Sequence, residues 1–315
     1  VTFLMDKHID DPAIICGLID AENAFNLCRR QAFLDETLKT FPGLYRLVAF
    51  LYGCASIMIM HSTIILCTNG VHQGCPLGAF LFSLTIQPLI AMIKEECPLL
   101  LLLAFYLDDG TIVGSIEDVR RALQILREEG PKYGLNLNKD KTEVFCPGAR
   151  NLSEADQRAL FSAIPEYAWN TSGIKLLGGL IGDTAFVQLK VKEKVAKVKA
   201  LVDNVLEMKD PHRQLTLMRM CLSGYKMAHV FRTTNPDIYP AEIIKFDSMI
   251  NEALSVILDL DLQTPALREA LGLPFKLGGM GITSASIIAT ASFYASRVQT
   301  SNMQTLLMDH NPCSY

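Results

Sequence analysis

Apolar runs that stop abruptly at carboxylates are the strongest pattern in the first half of the chain. The run 13–19 (Ala-Ile-Ile-Cys-Gly-Leu-Ile) ends at Asp20, and the run 99–107 ends at Asp108-Asp109. Continuous apolar stretches of this length read as strands buried on both faces. Around them, period and punctuation predict helices over 29–39 and 43–52, then a hairpin over 56–68 turning at His61-Ser62. A helix over 79–95, a hairpin over 99–114 and a helix over 117–132 follow. A strand then runs out of the Lys139–Val144 stretch, and 151–169 is a partly helical insertion. The glycine-broken stretch 174–182 is strand-like. Beyond Gly182 the period turns helical, over 187–208, 211–231, 240–258, 264–271 and 284–299. The glycine-rich turn 277–282 lacks a preceding βαβ unit, so it is not a dinucleotide-binding loop. The expected fold class is α+β, a mainly antiparallel sheet with helices on one face, followed by an all-helical region.

Composition adds a substantial core and little else. The 315 residues are 50% hydrophobic and 20% charged, enough for two packed units. The formal net charge of −4 argues against a uniformly basic nucleic-acid binder. Basic residues nevertheless crowd the segment after Gly182, with Lys190, Lys192, Lys194, Lys197, Lys199, Lys209, Arg213, Arg219, Lys226 and Arg232 facing few acidic neighbours. Such a stripe suits backbone phosphates or forms an ordinary solvated helix face. Nine cysteines without a Cys-x-x-Cys pair speak against a zinc site and a secreted disulfide scaffold, so an intracellular setting is expected. The apolar stretches 47–67 and 98–107 are read as a helix with a hairpin and as a buried strand, and no membrane span is expected.

The candidate chemistry lies in the carboxylates. Asp20 and Asp108 read either as turn or cap residues or as ligands of a divalent cation, since carboxylates at the ends of buried strands are costly unless neutralised. Hard oxygen ligands suit Mg²⁺, and two such ions around one phosphorus serve polymerases and nucleases. Asp108-Asp109-Gly110 also fits a hairpin turn, whose tip would project one carboxylate inward and the other off axis. Between the two acidic sites, Asn69 to Phe82 reads as a tight loop entering an apolar helix. On it Gln73 offers both donor and acceptor, and Gly74 removes any Cβ from a ligand's path.

Five segments in this order resemble reverse transcriptases, most closely those of non-LTR (LINE-like) retroelements. Asp20 with Phe25 is similar to motif A, Gln73-Gly74-Cys75-Pro76-Leu77 to motif B and Tyr106-Leu107-Asp108-Asp109 to motif C. The stretch from Gly134 to Lys141 is similar to motif D, and Leu176-Leu177-Gly178 to motif E. An Asp-Asp pair alone is weak evidence, whereas five motifs in order are strong. The resemblance implies a polymerase palm over 13–183, a helical thumb and C-terminal extension over 184–315, and only a remnant of the fingers in 1–12. The rest of the fingers and any endonuclease are then expected in flanking segments.

The same resemblance implies the roles. Asp20, Asp108 and Asp109 would bind two Mg²⁺ (Mn²⁺ also suits), with Asp108 the main ligand and Asp109 auxiliary. Phe25 would exclude a 2′-hydroxyl, so that deoxynucleoside triphosphates are the substrates. Gln73 and Gly74 would hold the template–nucleotide pair, with RNA as template and DNA as primer. Leu177, Gly178 and Gly179 would grip the primer end, and Lys190, Lys194 and Lys197 would meet nucleic-acid backbone. Lys141 is either the general acid for pyrophosphate or part of a solvated loop. Cys75 and Gly78 depart from the family pattern, but neither is a metal ligand. The alternative expectation is a catalytically inactive remnant that binds nucleic acid or acts as a scaffold.

Overall fold

The computed structural model describes residues 1–262 and 264–308, so the end of the expected 184–315 region, 309–315, lies outside the described residues. The chain divides into two compact units, Val1–Thr171 and a second starting at Ser172. Each is described by itself.

The first unit is built on a five-stranded sheet of order β4-β5-β1-β6-β7, comprising β1 (Ile14–Ile19), β4 (Leu102–Tyr106), β5 (Asp109–Ser115), β6 (Glu143–Phe145) and β7 (Ala168–Asn170). All neighbours run antiparallel except β6 and β7, which are parallel. A separate hairpin pairs β2 (Ser56–Met60) with β3 (Thr63–Cys67). His61 sits at φ 56° in its turn, as the sequence suggests. The buried strand read from 13–19 is borne out: Ile15, Cys16 and Gly17 are buried in succession, so both faces are covered. A Cβ at Gly17 would lie 3.3 Å from Val119 Cγ1, which shows how closely the helix Ile116–Tyr133 lies over β1.

That helix explains itself. Ser115 accepts a hydrogen bond from the Asp118 amide (3.1 Å), Glu117 and Asp118 occupy the first turn, and Gly134 ends it at φ 80°. Val119, Ala122, Leu123 and Leu126 turn one face into the core. It packs against the helix Gly78–Glu96, which buries Leu81, Phe82, Thr85, Ile86, Leu89 and Ile93 in the same core. Gly78–Glu96 is long and apolar enough to cross a bilayer by length and composition, unlike the stretches singled out by sequence. Those stretches fold as expected instead, as the helix Pro42–Tyr52 with the β2–β3 hairpin, and as β4.

The second unit is helical apart from the hairpin of β8 (Gly173–Leu176) and β9 (Gly179–Gly182). Grouped with the palm by sequence, this hairpin packs on the helices Thr184–Leu206 and Ala228–Thr233. Thr184–Leu206 buries Val187, Val191, Val195, Val198 and Val202, a stripe of i, i+4, i+8, i+11, i+15 spacing. Its core is completed by Pro240–Leu258, with Phe246, Ile250 and Leu254, and by the start of Ala285–Met308.

The tail 1–12 carries a short helix, Thr2–Lys7, with Leu4 and Met5 buried. Three local expectations are corrected. The strand read from 99–107 starts at Leu102, because Pro98 and Leu99 stand exposed at the exit of the preceding helix. The last helix continues to Met308. The single helix read from 211–231 is broken into Pro211–Leu217, a π-turn Met218–Leu222, a 3-10 turn Gly224–Met227 and Ala228–Thr233. Its break has a packing cause: the Gly224 amide donates to Thr283 O at 2.8 Å, and a Cβ at Gly224 would meet that oxygen at 2.7 Å.

Gly134 fastens the end of Ile116–Tyr133 to the segment after Asp20, since its missing Cβ would sit 2.0 Å from Leu27 O. Gly134→Ala is therefore expected to cost about 2 kcal/mol or more in urea unfolding, from strain at positive φ plus the clash. Gly43→Ala, in the open first turn of Pro42–Tyr52 with no atom within 4 Å, is expected to be neutral or to stabilise by about 0.5–1 kcal/mol.

Candidate active site

The register of β1 against β5 brings the acidic residues together. Ile19 pairs with Gly110, so Asp20 leaves β1 beside Asp109, the first residue of β5. Tyr106 pairs with Asp109, leaving Leu107 and Asp108 as the two-residue turn. The turn is thus one step earlier than Asp108-Asp109-Gly110. The shift has a steric reason: Gly110 belongs inside the sheet, where a Cβ would meet the Phe105 ring at 2.7 Å and Ile19 Cβ at 3.1 Å. Leu107 takes φ 60°, a conformation glycine favours and leucine resists, so the tip carrying Asp108 is held under strain.

Asp20 is fixed by its backbone. Its amide donates to Thr142 Oγ1 (3.3 Å), and its carbonyl accepts from the Asn138 amide (2.9 Å) and from Thr142 Oγ1 (3.4 Å). Thr142 is fully buried. A bridge between Ala21 and Leu137 and a bond from Glu22 N to Asn136 O (2.8 Å) bind the same two segments. One carboxylate oxygen of Asp20, Oδ2, is buried and has no hydrogen-bond partner. Lys141 Nζ approaches it at 3.7 Å, close enough for attraction and too far for a hydrogen bond. A buried anionic oxygen left in that state is costly, and a cation is what it suits.

Asp109 is exposed on one side, yet the loss of water on its inner side pushes its carboxyl above the usual range, and the charges of Asp108 and Asp20 push the same way. The three carboxylates therefore feel one another. Among the described residues no group of three or more His, Cys, Asp or Glu side chains closes into a metal cage. The aspartates are neighbours at one end of the sheet. The donor chemistry fits a hard divalent ion, and the buried Oδ2 of Asp20, without a hydrogen bond, is the observation that supports the fit.

Phe25 stacks on Phe82, with ring centroids 4.6 Å apart and planes at 15°, so its ring is backed by the core helix Gly78–Glu96. The loop carrying Gln73 docks on the same turn: Val71 N donates to Phe25 O (2.9 Å) and Gly70 N to Cys28 O (2.8 Å). Gln73 and Gly74 are exposed, Gly74 at φ 88° with open space where a Cβ would be. This brings Phe25, Gln73 and Gly74 onto one locally docked segment.

Sequence reasoning missed what holds that loop. Arg30, only 5% exposed, donates to Gly70 O (3.1 Å), Cys54 O (3.0 Å) and Ser56 Oγ (3.4 Å), and reaches His72 Nε2 at 3.3 Å. Tyr52 stacks on His72, and its hydroxyl accepts from the His72 amide (3.2 Å). Burial, with the neighbouring Cys75 thiol, pushes the Tyr52 phenol up to about 12. In the sequence Arg29-Arg30 reads as a surface pair, and no periodicity marks one of the two as buried.

In the second unit the tip of the β8–β9 hairpin is Leu177 (φ 47°) and Gly178 (φ 82°). Leu177 is 49% exposed. A Cβ at Gly178 would approach the His229 ring at 3.0 Å, and one at Gly179 would meet Thr233 Cβ at 3.3 Å. The three lysines differ. Lys190 is bound to Glu193 (3.0 Å), Lys197 is exposed, and Lys194 is half-buried. Burial lowers the ammonium pKa of Lys194, and repulsion from Lys175 and Lys226 lowers it further. Lys175, not singled out by sequence, thus belongs to the same basic group; its place on the hairpin was the only signal.

Residues 7–181 match the family model described as "Reverse transcriptase (RNA-dependent DNA polymerase)". The chain belongs to the reverse transcriptase family, and within it is a domain of the non-LTR retrotransposon kind that the motifs imply. It is 26% identical over 287 residues to the retrotransposable element SLACS 132 kDa protein of Trypanosoma brucei gambiense, an alignment covering 87% of this chain and 23% of that protein. It is 25% identical over 176 residues to the transposon TX1 uncharacterized 149 kDa protein of Xenopus laevis, covering 51% of this chain and 13% of that one. The chain thus spans less than a quarter of either relative. Telomerase from Candida albicans, in complex with a fragment of telomeric RNA, superposes with a TM-score of 0.42 at 12% identity, over 85% of this chain and 50% of the other. Apo telomerase from Candida tropicalis gives 0.40 at 13%, over 96% and 54%. Similarity at this level adds nothing to the family assignment.

The raised carboxyl of Asp109 has a stability consequence. Its folded form holds the proton more tightly than the unfolded chain, so ionisation opposes folding as pH rises through the carboxylate range. Asp109→Asn is expected to raise the melting temperature at pH 7 in EDTA, with the advantage shrinking toward pH 4. Melts at both pH values check it, and a variant less stable than the parent at pH 7 contradicts the charge-crowding account.

Proposed function

We propose that this chain is the RNA-directed DNA polymerase core of a retroelement, joining deoxynucleotides to a DNA primer on an RNA template. The observation that carries the reading is the buried Oδ2 of Asp20, with no hydrogen bond and only Lys141 at 3.7 Å, beside Asp109 and the Asp108 turn. Reverse transcriptases work with divalent cations, and Asp20, Asp108 and Asp109 are the residues that would hold them. Two Mg²⁺ ions, or Mn²⁺, would supply activation of the primer 3′-hydroxyl and neutralise the triphosphate.

The chain's own residues do the rest. As the primer 3′-hydroxyl releases its proton to water and its oxygen bonds to the α-phosphorus, the bond from that phosphorus to the bridging oxygen breaks and pyrophosphate leaves. Lys141, 3.7 Å from Asp20, holds a proton for the departing oxygen. Phe25, backed by Phe82, cannot swing aside to admit a 2′-hydroxyl. Gln73 presents donor and acceptor to the template–nucleotide pair, and Gly74 leaves room for it. In the second unit, thumb-like in this reading, the Leu177-Gly178-Gly179 tip steadies the primer end. Lys194 and Lys197 meet backbone phosphates, while Lys190 first has to leave Glu193.

The test is extension of a DNA primer on an RNA template with Mg²⁺ and deoxynucleotides, using the polypeptide that contains this chain. Asp20→Ala and Asp108→Ala are each expected to lower the rate about 10³-fold or more. Phe25→Ala is expected to weaken discrimination against ribonucleotides about tenfold or more. Undiminished extension by Asp108→Ala would falsify the assignment. A folded parent that extends nothing points to the inactive, nucleic-acid-binding reading.

A further inference from the structure

Arg30 is a buried cation whose hydrogen-bond partners are all neutral. Its Nε donates to Gly70 O (3.1 Å), Nη1 to Cys54 O (3.0 Å) and Ser56 Oγ (3.4 Å), and Nη2 faces His72 Nε2 (3.3 Å). Its guanidinium also stands over the Tyr52 ring, 5.4 Å from the centroid. A guanidinium only donates, so His72 Nε2 accepts and His72 carries its hydrogen on Nδ1. Ser56 completes the relay: its Oγ accepts from Arg30 Nη1 (3.4 Å), and its hydroxyl, 2.9 Å from His72 Nε2, shares the single lone pair of that nitrogen with Arg30 Nη2.

Two of these partners, Gly70 and His72, flank Val71 and lead directly into Gln73 and Gly74. The other two, Cys54 and Ser56, open the β2–β3 hairpin. Backbone bonds from Val71 to Phe25 and from Gly70 to Cys28 carry the same loop onto the turn after Asp20. Gln73 and Gly74 themselves have no such support, being exposed with open space around Gly74. The shape of the Gly70–His72 segment is therefore set from behind, by the Arg30 side chain and by the backbone carbonyls of Phe25 and Cys28.

We infer that Arg30 is a positioning residue for nucleotide selection, holding the Gly70–His72 segment so that Gln73 and Gly74 meet the incoming nucleotide in one conformation. The inference rests on the polymerase reading for its kinetic consequence and on the geometry alone for its structural one. Lysine cannot replace this planar fork, since three donors on one nitrogen do not reach four separated acceptors.

Two measurements separate these parts. Hydrogen exchange of the 69–75 amides needs no activity: Arg30→Lys is expected to lose about tenfold in protection there, with the sheet amides of β1 and β5 unchanged. Unchanged exchange at 69–75 overturns the inference, even if the parent is an active polymerase. In primer extension, Arg30→Lys is expected to raise KM for deoxynucleotides about tenfold with kcat within about twofold. A loss confined to kcat overturns the nucleotide-selection role. Should Arg30→Lys fail to fold, His72→Gln and His72→Leu take its place. Glutamine offers an acceptor near the position of Nε2 and is expected to keep KM near the parent's, whereas leucine is expected to raise it; equal KM values for the two overturn the relay. A parent that extends nothing defeats the polymerase reading and leaves the exchange result to decide whether Arg30 holds the loop.

Discussion

Three carboxylates at one end of a sheet repel one another, and the pairing of β1 with β5 must hold them there against that repulsion. The register does so directly, because once Ile19 faces Gly110, Asp20 has no position open to it except beside Asp109. The strands can bear the load because they are buried on both sides: Ile15, Cys16, Ile112 and Val113 are all fully buried. Burial of such side chains is worth roughly 1.5–3 kcal/mol each, more than an exposed carboxylate pair loses. Glycine at 110 removes the last obstacle to close strand approach.

Around that sheet the chain uses backbone and neutral polar groups to fix the parts that carry side chains. Asp20 is tied to the Asn138–Thr142 turn through main-chain atoms and one buried hydroxyl. The loop before Gly78 is tied to Phe25 and Cys28 in the same manner, and to Arg30 through carbonyls. The exposed side chains of Gln73 and Lys141 therefore stand on rigid footing without making structural bonds of their own beyond one long ion pair. Function and support are divided between different residues.

What the sequence revealed follows from what leaves a local trace. Apolar runs ending in aspartate marked β1 and the β4–β5 hairpin, and helical periods marked 30–40, 42–52, 78–96 and 116–133 to within a residue or two. The turn at Leu107-Asp108 left no trace, because leucine at positive φ runs against its own preference and is imposed by the sheet on either side. The break at Ser223-Gly224 was equally silent, since its cause is the backbone of Thr283, far along the chain. Arg30 shows the same limit for polar residues. Four acceptors drawn from two distant loops create its role, and neither its type nor its neighbours announce them. The candidate metal ligands were legible as residue types, whereas their spacing in space was not.

The order in which β1 acquires its partners has a consequence for synthesis. β1 leaves the ribosome before its antiparallel neighbours, β5 at Asp109–Ser115 and β6 at Glu143–Phe145, which follow only after the intervening helices. Until then an apolar strand stands with both edges bare, able to pair with a strand of any other nascent chain. Non-local pairing of this kind also makes closure slow. Expression at low temperature or with a chaperone that shields extended apolar segments should raise the folded yield, and a chain truncated before Glu143 should stay insoluble even with Asp20, Asp108 and Asp109 all present.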